Sequence, residues 1–414
     1  MTRRTRRVPV AVLAVGLLCL SAACGGGFSK DSGSAQKSGK ASLQILIGSS
    51  GDAETKAVKD AAGAWASKTG NTVKVTPAQN LDQQLGQAFA ANKPPDVFYL
   101  DASKFADYAN QNALYAYGDK TKQLADFYPA LKDAFTYKGT FYCAPKDFST
   151  LALEVNTDLW TKAGLTKADY PKTWDQLTTV STTLKAKLPG VTPLVISPER
   201  DRVNAFLVQA GGTIVDKNGK VTADTPANVE GLTYAKSLLT KGLMKYSSAV
   251  GAGWGGEAFG KTKSAMTIEG NWIAGAMKTD FPGIKYDVAP LPEGPKGQGT
   301  LAFTVCWGIP QASKFHDQAV DFVNTMTAQK QQLEFAKAFG VMPSITTARD
   351  AYLAQFPTNK VFMDGADYSA GPIKAPKVTE VLADYNNSLS KLATSDPQQI
   401  LVRLQKNLQQ ATGG

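Results

Sequence analysis

The sequence predicts an α/β protein in which parallel strands are flanked by helices, and three observations predict it. Between Ala41 and Leu100, short apolar strands alternate with helical patterns, an order that implies parallel pairing with helices on both faces. Leu151, Leu153 and Val155 alternate with Ala152, Glu154 and Asn156, the two-residue period of a strand with one buried face. LAFTVCWGIP, from Leu301 to Pro310, reads as a strand that returns the chain to its first part.

A chain of 414 residues suggests about two or three domains and is ample for a sizeable core. With 43% hydrophobic and 19% charged residues it has an ordinary globular balance. The net charge is +10, of which Arg3, Arg4, Arg6 and Arg7 supply four in a segment expected to be removed. The remaining excess, about +6, is spread without a dense basic run, which argues against a nucleic-acid partner.

The arginine cluster, the apolar run Val8 to Leu20 and the small residues Ser21, Ala22 and Ala23 have the parts of a secretory signal over residues 1–23. The run is too short to favour a spanning helix. LSAAC resembles a lipobox, in which Cys24 is lipidated and becomes the first mature residue; Ser21 departs from the usual leucine, so ordinary cleavage after Ala23 is the alternative. The paired arginines suggest the twin-arginine route, but the rest of that pattern is missing. Residues 24–40 are rich in Gly, Ser and Lys and read as a flexible tether, so the chain is anchored to a membrane rather than spanning it. Cys19 leaves with the signal and Cys24 carries lipid, leaving Cys143 and Cys306. An oxidising compartment permits a disulfide between them; two buried free thiols are the alternative.

From Ala41, SLQILI is a first strand, followed by a helix with Val58, Ala61, Ala62 and Trp65 on one face and Ser50 or Asp52 as its cap. TVKVT is a second strand, LDQQLGQAFA a second helix and DVFYL a third strand. Ligands of open sheets sit off the carboxyl ends of strands, which places residues 48–52 and 101–103 at a site edge. Pro145 and the polar run Lys146, Asp147, Ser149 and Thr150 form a stiff corner before the central strand. Thr173 and Gln176 form a capping box for a helix through Leu177, Val180 and Leu184. TPLVIS is a buried strand, and Glu199 to Arg202 trail its carboxyl end. Thr225 and Pro226 open a helix closed by Gly242. SAMTI is a strand followed by the turn EGNW, and residues 290–300 are a surface connection. Helices follow near residues 317–326 and 331–339, and the chain ends in two more, the last capped by Ser395 with Gln398.

Gly255, Gly260, Lys261 and Thr262 fit a P-loop spacing, yet that mechanism needs a strand before the loop and a helix after it, and neither flank fits. His316 is the sole histidine and reads as a surface residue. No nucleophile-elbow pattern, zinc-ligand cluster or histidine pair occurs, so neither a metal nor another cofactor is expected. Two carboxylates suffice for glycoside hydrolysis, which composition alone does not exclude.

PPDVFYLDASKFADYANQNALYAYGD, APKDFSTLALEVNTDLW and AMTIEGNWI together resemble the extracellular solute-binding proteins of sugar-type ABC importers, in order over residues 41–410. The resemblance implies a two-lobed periplasmic-binding-protein-like fold of type II, with a two- or three-strand hinge that closes on a ligand. It divides the chain into lobe 1, residues 41–146 plus 304–346, and lobe 2, residues 147–303 plus 347–414. Trp272 matches the family's sugar-stacking position, with Trp254 and Trp307 next; Trp65, Trp160 and Trp174 are expected in the core. Asp52, Asp101, Ser103, Lys146, Asp147, Glu199, Asp201 and Asn271 match its polar positions, and Arg202 can exchange roles with Asp201. Carboxylates are natural bidentate acceptors for vicinal hydroxyls. The implied partners are a carbohydrate and the transmembrane subunits of a permease, met by a monomer anchored on the outer face of the cell membrane. A secreted glycan hydrolase and a non-transport adhesin or sensor are the alternatives.

Overall fold

The computed structural model describes residues 40–216 and 219–413. The signal, Cys19, Cys24 and all of the tether but Lys40 lie outside them. The strands are β1 (Ser42–Ile47), β2 (Thr72–Pro77), β3 (Val97–Asp101), β4 (Thr136–Tyr137), β5 (Thr140–Phe141), β6 (Pro145–Asn156), β7 (Thr192–Ile196), β8 (Met244–Tyr246), β9 (Ser264–Gly270), β10 (Tyr286–Ala289), β11 (Thr300–Gly308), β12 (Met342–Pro343) and β13 (Ser369–Ala370). Among the described residues eleven of them join in one sheet, along the path β2, β1, β3, β11, β6, β9, β7, β8, with β10 and β12 added to β6 and β13 to β11. The two ends are parallel: β1 lies between β2 and β3, and β7 between β8 and β9. The middle is antiparallel, where β11 and β6 run between the two halves.

This middle corrects one expectation. All twelve residues of β6 are buried, including the alternate set Ala152, Glu154 and Asn156. β6 has strand neighbours on both edges and packing on both faces, so its polar side chains are enclosed rather than solvated.

Most of the apolar interior falls into two clusters. One draws on residues 41–144 and 306–348, the other on 151–291 and 375–408. A smaller cluster, with Tyr128, Phe148, Met342, Tyr352 and Phe362, lies along β6 and β12. The discontinuous make-up of both large clusters follows from the crossings: β6 carries the chain out of the first and β11 carries it back. Cys143 and Cys306 are bonded across these two passages, with Cα atoms 5.8 Å apart.

Local signals mostly hold, and the caps show where they do not. Helix Asp52–Thr69 buries Val58, Ala61, Ala62 and Trp65 and ends at Gly70 in the left-handed region, φ 72°. Its start has no side-chain cap from Ser50 or Asp52; instead the Glu54 carboxylate accepts from the Ser50 amide and hydroxyl, both at 2.8 Å. Thr173 caps helix Trp174–Lys187 by accepting from the Gln176 amide. The last helix, Pro397–Thr412, is capped by Asp396, not Ser395, because Pro397 occupies the first helical position and needs no amide acceptor. The P-loop spacing falls on a short helix, Gly255–Gly260, followed by a strand, so no phosphate-cradling loop forms. His316 opens helix His316–Met326 and stacks on Tyr115 at 3.8 Å. No helix among the described residues is long and apolar enough to cross a membrane.

After β13 pairs with β11 at Thr300 and Leu301, residues 371–379 form a strap that buries Ala375 and Val378 in the second cluster and reaches the helices of the first through polar contacts. Lys374 Nζ donates to Asp133 Oδ2 at 2.6 Å, the Lys377 amide to Asp107 Oδ1 at 2.6 Å, and Lys104 Nζ to Thr379 Oγ1 at 3.2 Å.

Candidate functional site

A cavity of about 270 Å³ opens where these elements meet. Asp101, Ala102 and Ser103 line it from the carboxyl end of β3, and Arg200, Asp201 and Asn204 from helix Arg200–Gln209, which follows β7. β11 supplies the floor from Leu301 to Thr304, and the strap adds Gly371, Pro372 and Ile373. Strand carboxyl ends and helix starts from both parallel regions therefore converge on one hollow, as open α/β sheets place ligands.

Of the expected residues, Asp101, Ser103 and Asp201 are brought together here. Asp101 Oδ1 accepts from the Ser103 amide at 2.8 Å and hydroxyl at 2.6 Å, capping helix Ala102–Asn110 and orienting both side chains at the rim. Asp201 Oδ1 lies 3.2 Å from Arg200 Nε. Glu199 is exposed at the start of the same helix.

Trp272 is 38% exposed, one of two exposed large hydrophobic residues among those described. It follows Asn271 in the turn after β9 and meets Phe303, a lining residue of the cavity, edge to face at 5.3 Å. Arg202 lies 5.1 Å from the Trp272 ring centre and 5.9 Å from that of Phe303. The aromatic platform is thus continuous with the cavity through Phe303. Asn271 anchors the turn: its amide donates to Ser149 Oγ at 3.1 Å and its Nδ2 to the Gly340 carbonyl at 2.9 Å.

Lys146 and Asp147 are placed differently from expectation. They are only 7% and 9% exposed, and the Lys146 ammonium is taken by Asp147 and by Glu54 Oε1 at 2.9 Å, with the Tyr99 ring 4.7 Å away. Burial alone would push this ammonium down; the two carboxylates outweigh it and hold it raised and charged. The trio ties the first turn of helix Asp52–Thr69 to β6, while Asp52 itself points to solvent at the helix start.

Two tryptophans also depart from expectation. Trp307 is 0% exposed, packed against Tyr99 at 4.8 Å and Phe322 at 5.6 Å, because its β11 position faces the first cluster rather than the cavity. Trp254 is half-buried, its ring lying against Gly256 and the cluster of Phe259, Ile273 and Met277. Trp65, Trp160 and Trp174 are core residues as expected, their indole nitrogens satisfied by Asp321, Thr166 and Gln209.

Sequence reasoning missed Glu54, Glu269, Phe303 and the strap. Glu269 was legible as an acid inside the apolar strand SAMTI–EG; a phenylalanine in an alternating strand and a Gly-Pro segment give no such signal. Among the described residues no group of three or more His, Cys, Asp or Glu could hold a metal ion.

Similarity to known proteins agrees with this architecture. The diacetylchitobiose binding protein DasA of Streptomyces coelicolor is 25% identical over 355 residues, 82% of each chain. A maltooligosaccharide ABC transporter solute-binding lipoprotein of Streptococcus pneumoniae is 29% identical over 223 residues, 51% of each. Among solved structures, the cyclic alpha-maltosyl-1,6-maltose binding protein of Arthrobacter globiformis superposes with a TM-score of 0.80 at 19% identity, covering 91% of this chain and 100% of that one. The GacH receptor of Streptomyces glaucescens gives 0.75 at 22% identity, covering 90% and 99%. Residues 48–333 match the bacterial extracellular solute-binding proteins, and the chain belongs to that family.

Proposed function

We propose that this protein is the substrate-binding lipoprotein of an ABC importer, which captures a carbohydrate, an oligosaccharide, and delivers it to the permease. The observation that carries the reading is the partly exposed Trp272 beside a cavity rimmed by Asp101, Ser103 and Asp201. An indole offers a flat apolar surface to a sugar ring, and carboxylates and hydroxyls accept and donate to its hydroxyl groups. The names of the relatives, which bind diacetylchitobiose and maltooligosaccharides, support the same class of ligand.

The ligand is bound and released unchanged. Lobe 1 comprises residues 41–146 plus 304–346 and lobe 2 residues 147–303 plus 347–414; β6 and β11 bend between them, and a ligand touching both lobes favours the closed form by its differential contacts. Cys24 carries the lipid anchor that holds the protein, a monomer, on the outer face of the membrane. Lys146 and Asp147 act through the structure of the crossing rather than on sugar.

A thermal-shift panel of mono- and oligosaccharides, including maltotriose and diacetylchitobiose, tests the reading, because a ligand of the folded state raises Tm. Trp272→Ala is expected to weaken binding of the responding sugar by about 1–3 kcal/mol with the fold intact. No shift with any sugar, or recovery of a cleaved product by chromatography, would refute it.

A further inference from the structure

Trp272 is held from several directions at once. Its Nε1 donates to Glu269 Oε2 at 3.1 Å, and Phe303 presents an edge at 87° to its plane. Gly270 lies against the six-membered ring so closely that a Cβ there would come within 2.2 Å of Cζ3. The same Glu269 Oε2 accepts from Arg202 Nε at 3.1 Å and Nη2 at 2.5 Å, while Arg202 lies over the Trp272 ring. Glu269 is fully buried at the end of β9, so its position is set by the sheet and not by solvent. One fixed oxygen therefore holds both the indole and the guanidinium that covers it.

A ring presented for stacking is useful only if its plane does not move, since an unconstrained aromatic side chain must be ordered when the ligand arrives. We propose that Glu269 is the positioning residue of this site: it locks the Trp272 plane and the Arg202 side chain into one rigid platform, with Gly270 kept bare so that the ring can lie against the strand. The proposal rests on the reading of Trp272 as the stacking surface for a sugar. The shared oxygen also gives Glu269 a role that a merely structural acid would lack. Removing its charge releases two side chains of the site together, while the backbone bonding of β9 stays.

The test uses the full chain and two variants, Glu269→Gln, which keeps shape and loses charge, and Gly270→Ala, which keeps the charges and displaces the ring. The indole N–H signal of Trp272, assigned by its loss in Trp272→Phe, is followed by two-dimensional nuclear magnetic resonance without ligand. Glu269→Gln is expected to shift this signal and speed its hydrogen exchange about tenfold, and both variants to weaken binding of maltotriose or diacetylchitobiose about tenfold, faster dissociation accounting for most of the loss. An unchanged indole signal in Glu269→Gln overturns the proposal whether or not either sugar binds. A shifted signal with unaltered affinity, in a protein whose Trp272→Ala variant binds weakly, overturns it too. Unaltered affinity in Trp272→Ala instead removes the stacking surface itself, and with it the reading on which the proposal rests.

Discussion

Glu154 sits on β6 with no exposure, its Oε2 accepting from the Glu269 amide at 3.0 Å and its Oε1 without a hydrogen-bond partner among the described residues. Burial, then the neighbouring Glu269 charge, pushes its carboxyl well above the usual range, and the backbone amides of Glu154 and Glu269, followed by Arg202, offset this only in part. The folded state therefore keeps a proton that the unfolded chain gives up near pH 4.3. Stability from this residue is complete below that pH and is lost as pH rises towards the folded-state value, by up to about 1.4 kcal/mol per pH unit. Glu154→Gln should remove this slope, so Tm measured from pH 4.5 to 8 should fall less steeply than in the parent. Parallel curves would mean that Glu154 is ionised in the fold. The residue also shows a limit of sequence reading: its alternation with Leu153 and Val155 signals a strand correctly, but no local pattern says that the opposite face is covered as well.

Among the elements, the crossing strands matter most, and their covalent tie is open to measurement. The Cys143–Cys306 bond closes a span of 163 residues, and both sulfurs are buried in the first cluster. Constraint of the unfolded chain gives about 2–5 kcal/mol for such a bridge. A Cys143→Ala, Cys306→Ala double variant should lose stability of that order in urea unfolding; an unchanged midpoint would show that the bond does not form in solution. Periodicity was enough to find β1, β3, β6, β7, β9 and β11, since each is a run of apolar or alternating residues with turn signals around it. The short strands β12 and β13 were not legible, because two residues carry no period and their pairing depends on β6 and β11 alone. Lys146 read as a ligand residue for a related reason: a charged side chain after a proline looks solvated until the partner, Glu54, is brought to it by a helix 92 residues away.

For the whole molecule, the strap is the segment that links the two large clusters, with Ala375 and Val378 buried in the second and polar contacts reaching the helices of the first. It lines the cavity through Gly371, Pro372 and Ile373, and its polar contacts are with Asp133, Asp107 and Lys104. The Lys374–Asp133 pair is partly exposed, and such pairs are worth about 0.2–1 kcal/mol. An Asp107→Ala, Asp133→Ala variant should raise amide exchange within residues 371–379 by up to about fivefold and leave β6 protected. Equal exchange in both proteins would show that the strap is held by other means.

The two-part composition of the first cluster has a consequence for biogenesis. Residues 41–144 supply most of its strands, but it is sealed only by 306–348. At synthesis rates of ~5–20 residues per second, Cys306 emerges roughly 10–30 s after Cys143. Throughout that interval the earlier thiol has no mate and the nascent half has no closed interior. Such a chain can neither close its first core nor form its disulfide until synthesis has passed Cys306.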